Sequence, residues 1–488
     1  MIRANPKSQN WNTFFGVFLL IYTVYGFWCM PSFGSPTDEF TQRAIGTENA
    51  RFIAGHSSVE KLSEHQFFGP IVETPLYLLE QLIYTKDIST KIYLRHSVLF
   101  ALFISALVVF FKLLKGLTKN DGASFFITLV FACNPRLFAH AHYNSKDTAF
   151  LCLLLFGLYC FVQFIQYKNF TSLLLAAVWL GAATSIRLAG AFILMACIST
   201  LAFSLKSYGK PILYFCVLSL LAFIASFPYL WVHPLEGIGQ LITYTTQNPY
   251  PWEVLFAGKT HLAGAGLWYY VPLSLALSSA IVVLALFLIF FIRALRSIAR
   301  KNFSIEQLLI LQLFALPLLY FMITQPVFYN MGRHTQFMLI PIYLGAGMVL
   351  SAVWSNKIAK NTVLGIIALT CLALPVHKGN EMVYFNGIKS FWKPYSFELD
   401  YWTLSAKRAM QDLLKEENTV SLYCFDNAVE NSLDMLPPAE RERIKMNTKD
   451  SANFELVFFR ETPLQANEKT IFAYGSKNEP YLLVNRLR

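Results

Sequence analysis

Charge is what this chain has least of. Only 14% of its 488 residues are Asp, Glu, Lys or Arg, while 55% are hydrophobic. A soluble domain carries about 25% charged residues, so the shortage argues against an ordinary soluble enzyme. Cysteine is also sparse. Eight are present and none stand in Cys-x-x-Cys spacing. Cys152, Cys160, Cys197, Cys216 and Cys371 lie inside apolar runs, where they read as small buried hydrophobes rather than as a disulfide framework. No Gly-rich loop of the mononucleotide or dinucleotide type is present, which argues against nucleotide-driven chemistry. No repeat or low-complexity tract stands out.

What the chain has instead is long apolar runs, 16% aromatic residues and a mean hydropathy of +0.45. A helix needs roughly 20 apolar residues to cross a bilayer. Residues 12–30, 95–114, 123–133, 148–165, 170–186, 189–205, 211–229, 269–292, 305–323, 336–354 and 362–375 qualify as spans or near-spans, about eleven in all. The first reads as a span rather than a signal peptide, because no small-residue cleavage site follows it. The excess of 40 basic over 29 acidic residues suggests nucleic acid only until its placement is seen. Arg3 and Lys7, then Lys112, Lys115 and Lys119, Lys168, Lys206 and Lys210, Arg293, Arg296, Arg300 and Lys301, and finally Lys357 and Lys360 flank alternate span ends. That pattern puts the N-terminus in the cytoplasm and the C-terminus outside it.

Residues 1–375 then form a transmembrane unit with outer loops at 31–93 and 230–268. Residues 376–488 are more polar and read as a small extracytoplasmic α/β domain. Strands are expected at 420–425, 454–459, 470–474 and 481–484, and helices at 405–416 and 438–445. Within the first loop, 41–54 is amphipathic. Residues 75–84 are too short to span and read as an interfacial helix.

Ionisable residues gather on the outer face. Asp38 and Glu39 form an adjacent pair just past the first span, suited to a general base or a cation ligand. The alternative is a pair of acids capping the next helix. Asp147 opens the fourth span, as a functional acid or its cap. Arg187 sits in the turn between the fifth and sixth spans. Arg333 and His334 open the tenth, Arg95 opens the second, and Glu73 opens the interfacial segment. Arginines at span ends can snorkel to lipid headgroups, but carboxylates and several arginines on one face also suit a phosphate carried on a lipid tail. His140 and His142 are a weak metal pair, since an i, i+2 spacing diverges on a helix.

In these residues the sequence resembles the polytopic C-type (GT-C) glycosyltransferases, specifically the dolichyl-phosphate-mannose protein mannosyltransferase and aminoarabinose transferase group. The acidic pair Asp38-Glu39 resembles the first-loop motif of that group. Glu73-Thr74-Pro75-Leu76-Tyr77, Leu94-Arg95, Asn134-Pro135 followed by Asp147, and Gly332-Arg333-His334 through Pro341 resemble later motifs in order and spacing. The likeness covers roughly Phe14 to Pro341. Tyr384-Phe385-Asn386 and Phe397-Glu398-Leu399-Asp400-Tyr401-Trp402 resemble a segment of uncharacterised bacterial members, although Thr403 stands where Gly is usual. Thr74 and His334 also depart from the pattern.

The resemblance implies a GT-C-like fold and an inverting transferase that moves a sugar from a polyprenyl-phosphate donor to an acceptor hydroxyl. The acceptor would be a glycan, lipid or protein at the extracytoplasmic face of a bacterial inner membrane. It implies Asp38 as base with Glu39 and Asp147 in support, Arg187, Arg333 and Arg95 on the donor phosphate, and Glu73 as the one metal candidate. A divalent cation is the only cofactor in view, and nucleic acid is not a partner. The competing class is a transporter or flippase of a lipid-linked glycan. It would show matching halves, interrupted helices and charges near mid-bilayer. No matching halves stand out here, and the charges sit at span ends.

Overall fold

The computed structural model describes residues 10–62, 67–204, 209–247, 253–263, 265–426, 428–460 and 463–488. Arg3, Lys7, Leu205 and Lys206, and parts of both outer loops, lie outside the described residues. The chain begins with α1 (Trp11–Cys29), followed by two helices of the first loop, α2 (Glu39–Ile53) and α3 (Glu73–Leu82). Next come α4 (Ile88–Thr118), α5 (Asp121–Ala132), α6 (Pro135–Tyr143), α7 (Asp147–Tyr167), α8 (Phe170–Ile186), α9 (Gly190–Ser204) and α10 (Gly209–Ala225). The middle loop holds α11 (Tyr229–Val232), α12 (Pro234–Gln247) and a hairpin of β1 (Glu253–Phe256) and β2 (Lys259–Leu262). The helical part ends with α13 (Tyr270–Ser278), α14 (Ile281–Ala299), α15 (Ile305–Thr324), α16 (Leu339–Ala352), α17 (Lys357–Cys371) and α18 (Ala373–Val376).

Among the described residues, seven helical stretches are long and apolar enough to cross a membrane, or up to eight if a bent pair counts as one, and three shorter apolar helices accompany them. This is a multi-pass membrane protein. Its outward side chains agree, since Leu20, Ile21, Val24, Leu220, Leu221, Leu319, Ile323 and Leu369 are exposed where lipid would cover them. Inside, Phe100, Phe103, Phe110, Phe131, Phe138, Phe150, Phe161 and Tyr343 are fully buried. Helix α7 packs on α8 and α4, α8 on α10, and α14 on α16.

Two of the expected spans differ in the structure. Residues 269–292 do not form one helix, because the chain breaks between α13 and α14. The freed carbonyls of Ala276 and Ser279 both accept from the Asn386 side chain, at 2.6 and 2.5 Å, and Leu277 O accepts from the Asn386 backbone N–H. An interrupted helix at membrane depth is tolerable when protein groups satisfy its backbone in this way. The short run at 123–133 is half of a broken pair. At Asn134-Pro135 the chain turns 65° from α5 into α6. Asn134 caps the new helix through Leu137 N, and Pro135 occupies its first position, where no donor is needed.

After the last span, 3-10 turns at Glu381–Val383 and Gly387–Phe391 lead to α19 (Ala406–Glu416), β3 (Val420–Cys424), α20 (Val429–Leu433), α21 (Pro438–Arg441), β4 (Ile444–Met446), β5 (Phe454–Phe458), β6 (Thr470–Ser476) and β7 (Glu479–Arg486). The sheet order is β4-β3-β5-β7-β6. The β3 pairings are parallel and the β7 pairings antiparallel. The helix expected at 438–445 stops at Arg441. Lys445 belongs to β4, because Val420–Leu422 takes it as a parallel partner. Helix α19 lays Ala406, Ala409, Met410 and Leu413 on Leu422, Leu456, Leu482 and Val484 of the sheet.

Candidate functional site

Four segments distant in sequence meet at one end of the helix bundle. They are the start of α2, the α6–α7 junction, the α8–α9 turn and the stretch before α16. The cavity between them is about 270 Å³ and is lined by Asp38, Lys146, Arg187, Arg333 and His334 together with Phe68, Tyr244, Phe321 and Phe328.

Asp38 stands at the N-cap of α2, yet its side chain makes no capping hydrogen bond. Its Oδ2 accepts instead from Arg333 Nη1 at 2.9 Å, and the carboxylate stays 39% exposed toward the cavity. The capping alternative is therefore not what the side chain does. Asp147 is buried at the start of α7. There Asn144 does the capping, its Oδ1 accepting from Asp147 N at 2.9 Å. The Asp147 carboxylate is left for Arg187 Nε, which pairs with Oδ1, and for Asn144 Nδ2, at 2.9 Å from Oδ2. Arg333 Nη1 lies 3.9 Å from the same Oδ2. Arg187 caps the end of α8 in extended conformation, which swings its side chain back across Asp147.

Arg333 is the best buried of these cavity cations at 7% exposure. Its guanidinium lies over the Trp402 ring, 4.6 Å from the centroid, and near the Tyr329 ring. Its Nε has no hydrogen-bond partner among the described residues. A buried guanidinium with an unfilled donor is suited to an incoming oxyanion. Lys146 completes the basic wall, its Nζ 3.5 Å from the Phe68 centroid. Burial, and then Arg187, push this ammonium well below the usual lysine range.

Glu39, Glu73 and Arg95 do not join this cavity. Arg95 is 2% exposed and is held by three carboxylates: Glu39 at 2.9 Å, Glu80 at 3.0 Å, and Glu73. It is buried rather than snorkelling outward, and it does not line the cavity that Arg187 and Arg333 share. Arg43 reaches Glu80 at 2.7 Å from the other side, and Ser145 donates to Glu73. Burial raises the Glu39 carboxyl, but His96 and Arg95 outweigh it and hold the group at about 2. In Glu73 the balance reverses, and burial pushes the group up despite Arg95. With its oxygens taken by Arg95 and Ser145, Glu73 is not placed for a metal. No group of three or more His, Cys, Asp or Glu that could hold a metal occurs among the described residues. His142 is wedged against Phe100 with ring centroids 4.3 Å apart. His140 bonds Asn144 at 2.8 Å and Tyr401 at 3.2 Å.

Sequence reading did not single out Lys146, which was visible only as a basic residue beside Asp147. Nor did it give Trp402 its place, which is the inner wall behind Arg333 and 3% exposed.

No protein-family model and no curated protein matches this chain. Among solved structures, the apo crystal structure of the Archaeoglobus fulgidus oligosaccharyltransferase aligns with 87% of this chain and 64% of its own length, at 9% identity and a TM-score of 0.44. The same organism's enzyme in complex with an inhibitory peptide and a dolichol-phosphate aligns over 88% and 64%, at 10% identity and a TM-score of 0.42. Its complex with Zn and sulfate aligns over 84% and 58%, at 10% identity and a TM-score of 0.42. This chain thus spans less than two thirds of the length of those proteins, to which it is similar in this limited degree.

Proposed function

We propose that this chain is an inverting glycosyltransferase that moves a sugar from a polyprenyl-phosphate donor to an acceptor hydroxyl at the extracytoplasmic membrane face. One observation carries the reading: a carboxylate, Asp38, and two arginines, Arg187 and Arg333, converge on one cavity at the end of a membrane helix bundle. The apolar part of its wall, Phe321, Val327 and Phe328, is suited to the first isoprene units behind a phosphate. Asp38 Oδ accepts the proton of the acceptor hydroxyl. The acceptor oxygen forms a bond to the anomeric carbon from the face opposite the phosphate. The bond from that carbon to the phosphate oxygen breaks, and its electron pair stays on the polyprenyl phosphate. Arg187, Arg333 and Lys146 stabilise that developing charge, so no strong general acid is required. Asp147 holds Arg187 in place. Glu39 supports from behind, tying the start of α2 to Arg95.

The test is incubation of the purified protein with radiolabelled polyprenyl-phosphate sugars and a membrane extract. Label should move into a glycan, lipid or protein pool. Asp38→Asn should abolish the transfer while donor binding persists. Near-normal turnover in that variant would move the base to another carboxylate, and absence of label transfer from every donor tested would remove the donor class.

A further inference from the structure

Three consecutive residues before Arg333 hold left-handed backbone: Asn330 at φ 54°, Met331 at φ 49° and Gly332 at φ 68°. Residues other than glycine leave that region unless something holds them there. At Gly332 a side chain is excluded twice, by the φ and by Ser274 Cβ, which would stand 2.7 Å from a Cβ. Two groups hold the turn. Tyr270 Oη accepts from Gly332 N at 3.1 Å, and Glu398 Oε2 accepts from Met331 N at 3.1 Å. Glu398 belongs to the C-terminal region, 67 residues further along the chain.

Its own position is fixed from both sides. Phe397 is fully buried in the core shared with the membrane helices, and Leu399 is buried in the core of the C-terminal sheet. Four residues past Glu398, the Trp402 ring lies against the Arg333 guanidinium, 4.6 Å from centroid to Cζ. Tyr401 hydrogen-bonds His140, which bonds the Asn144 that holds Asp147. The segment 397–402 therefore touches the supports of both Arg333 and Asp147.

We propose that Glu398 is a positioning residue of the site, whose carboxylate fixes the left-handed turn Asn330-Met331-Gly332 and so aims Arg333 at Asp38 and the cavity. This rests on the reading of Arg333 as the phosphate-binding group. In that role the C-terminal region sets the geometry of the site rather than merely covering it. Glu398 itself touches neither the cavity nor a reacting atom.

The experiment uses the full chain in lipid nanodiscs, as wild type, Glu398→Ala, Glu398→Gln and Tyr270→Phe. Hydrogen exchange is read over residues 329–334, and affinity is read with undecaprenyl phosphate as probe. Glutamine keeps an acceptor for Met331 N–H and alanine does not. The expected result is faster exchange of the Met331 amide in Glu398→Ala together with about a tenfold loss of affinity. Glu398→Gln should stay within about threefold of wild type, a rescue that general destabilisation would not give. Tyr270→Phe keeps its ring stack on Phe256 and Phe328 and should loosen Gly332, so the turn can be tested even where Glu398→Ala fails to fold. Equal exchange in all forms would overturn the inference. So would faster exchange in Glu398→Ala with unchanged affinity, since the turn would then not govern Arg333. If wild type itself ignores undecaprenyl phosphate while Met331 still deprotects in Glu398→Ala, the donor reading fails and the aiming of Arg333 at a phosphate fails with it, leaving only the Glu398 contact to the turn.

Discussion

At the residue scale, two arginines at span ends have opposite fates, and the difference is their company. Arg333 pairs closely with one partly exposed carboxylate, Asp38, has Asp147 at 3.9 Å and keeps an unfilled donor, while Arg95 meets three buried carboxylates. Arg333→Ala and Arg187→Ala should each lower kcat/KM for the donor by about 10- to 1000-fold, in the range expected of a buried charge-assisted contact to a phosphate. Lysine at either position should restore only part, since it supplies one donor direction instead of a fork. Steady-state kinetics with varied donor check this, and unchanged kinetics in both Ala variants would leave the two as structural cations.

Glu381 gives a second residue-scale test. It is 1% exposed, and burial pushes its carboxyl up to about 7. A folded-state value above the ordinary carboxylate range means the native protein favours the protonated form. The stability this supplies is present at acid pH and is lost as pH rises through about 7. The amount is on the order of 3 kcal/mol. Glu381→Gln should therefore gain thermal stability relative to wild type at pH 8 and show little difference at pH 5. Glu398 and Asp400 are raised in the same direction, to about 7 and about 6, so only the difference between the two proteins isolates Glu381. Parallel Tm profiles from pH 5 to 8 would refute the assignment.

At the element scale, the buried cluster of Arg95 with Glu39, Glu73 and Glu80 ties α2, α3 and α4 together. It also reaches the α6–α7 junction through Ser145. Removing one partner of such a cluster strands buried charge and costs about 3–5 kcal/mol. Arg95→Ala should lower the Tm of the purified protein strongly and lower activity in step with folded protein. Normal stability with a raised donor KM would instead make Arg95 a ligand contact. The two elements that sequence periodicity did not resolve, the α13–α14 break and the α5–α6 bend, fail for a shared reason. Hydropathy counts apolar residues along one segment. It does not see that Asn386, 107 residues beyond Ser279, will accept the duty of closing the break.

At the scale of the molecule, the C-terminal region is built into the site. Lys407 on α19 donates to Pro31 O, Phe33 O and Tyr93 Oη. Asn431 donates to Thr37 O at 3.2 Å. Gly34 abuts Leu404 O so closely that any Cβ would clash with it. The loop carrying Asp38 is thus clamped from the same region that holds the turn before Arg333. Deleting residues 376–488 should abolish donor hydrolysis and transfer to acceptor together, and loss of transfer alone would instead make the region a determinant of acceptor choice. Trp402 and Tyr401 are engaged with Arg333 and His140, so these two aromatics serve the interior of the site. The side of the membrane is tested separately. A cysteine at Ser451 should react with an impermeant reagent in intact spheroplasts, and protection there would invert the proposed orientation.

Composition and periodicity alone determined that this is a multi-pass helical membrane protein followed by a polar α/β region, because burial in lipid imposes a long apolar run that one segment displays by itself. They also marked Asp38, Asp147, Arg187 and Arg333, since charge at span ends is rare enough to stand out. Only the tertiary structure decided that Asp38, Arg187 and Arg333 meet at one cavity, with Asp147 buried behind Arg187, while Glu39, Glu73 and Arg95 form a separate buried knot. Whether a carboxylate pairs with one arginine or shares another with two more is fixed by contacts between α2, α3, α4, α7 and the stretch before α16, across sequence separations as large as 295 residues. A local pattern cannot encode such a pairing. It exists only once packing has chosen which helix ends face each other.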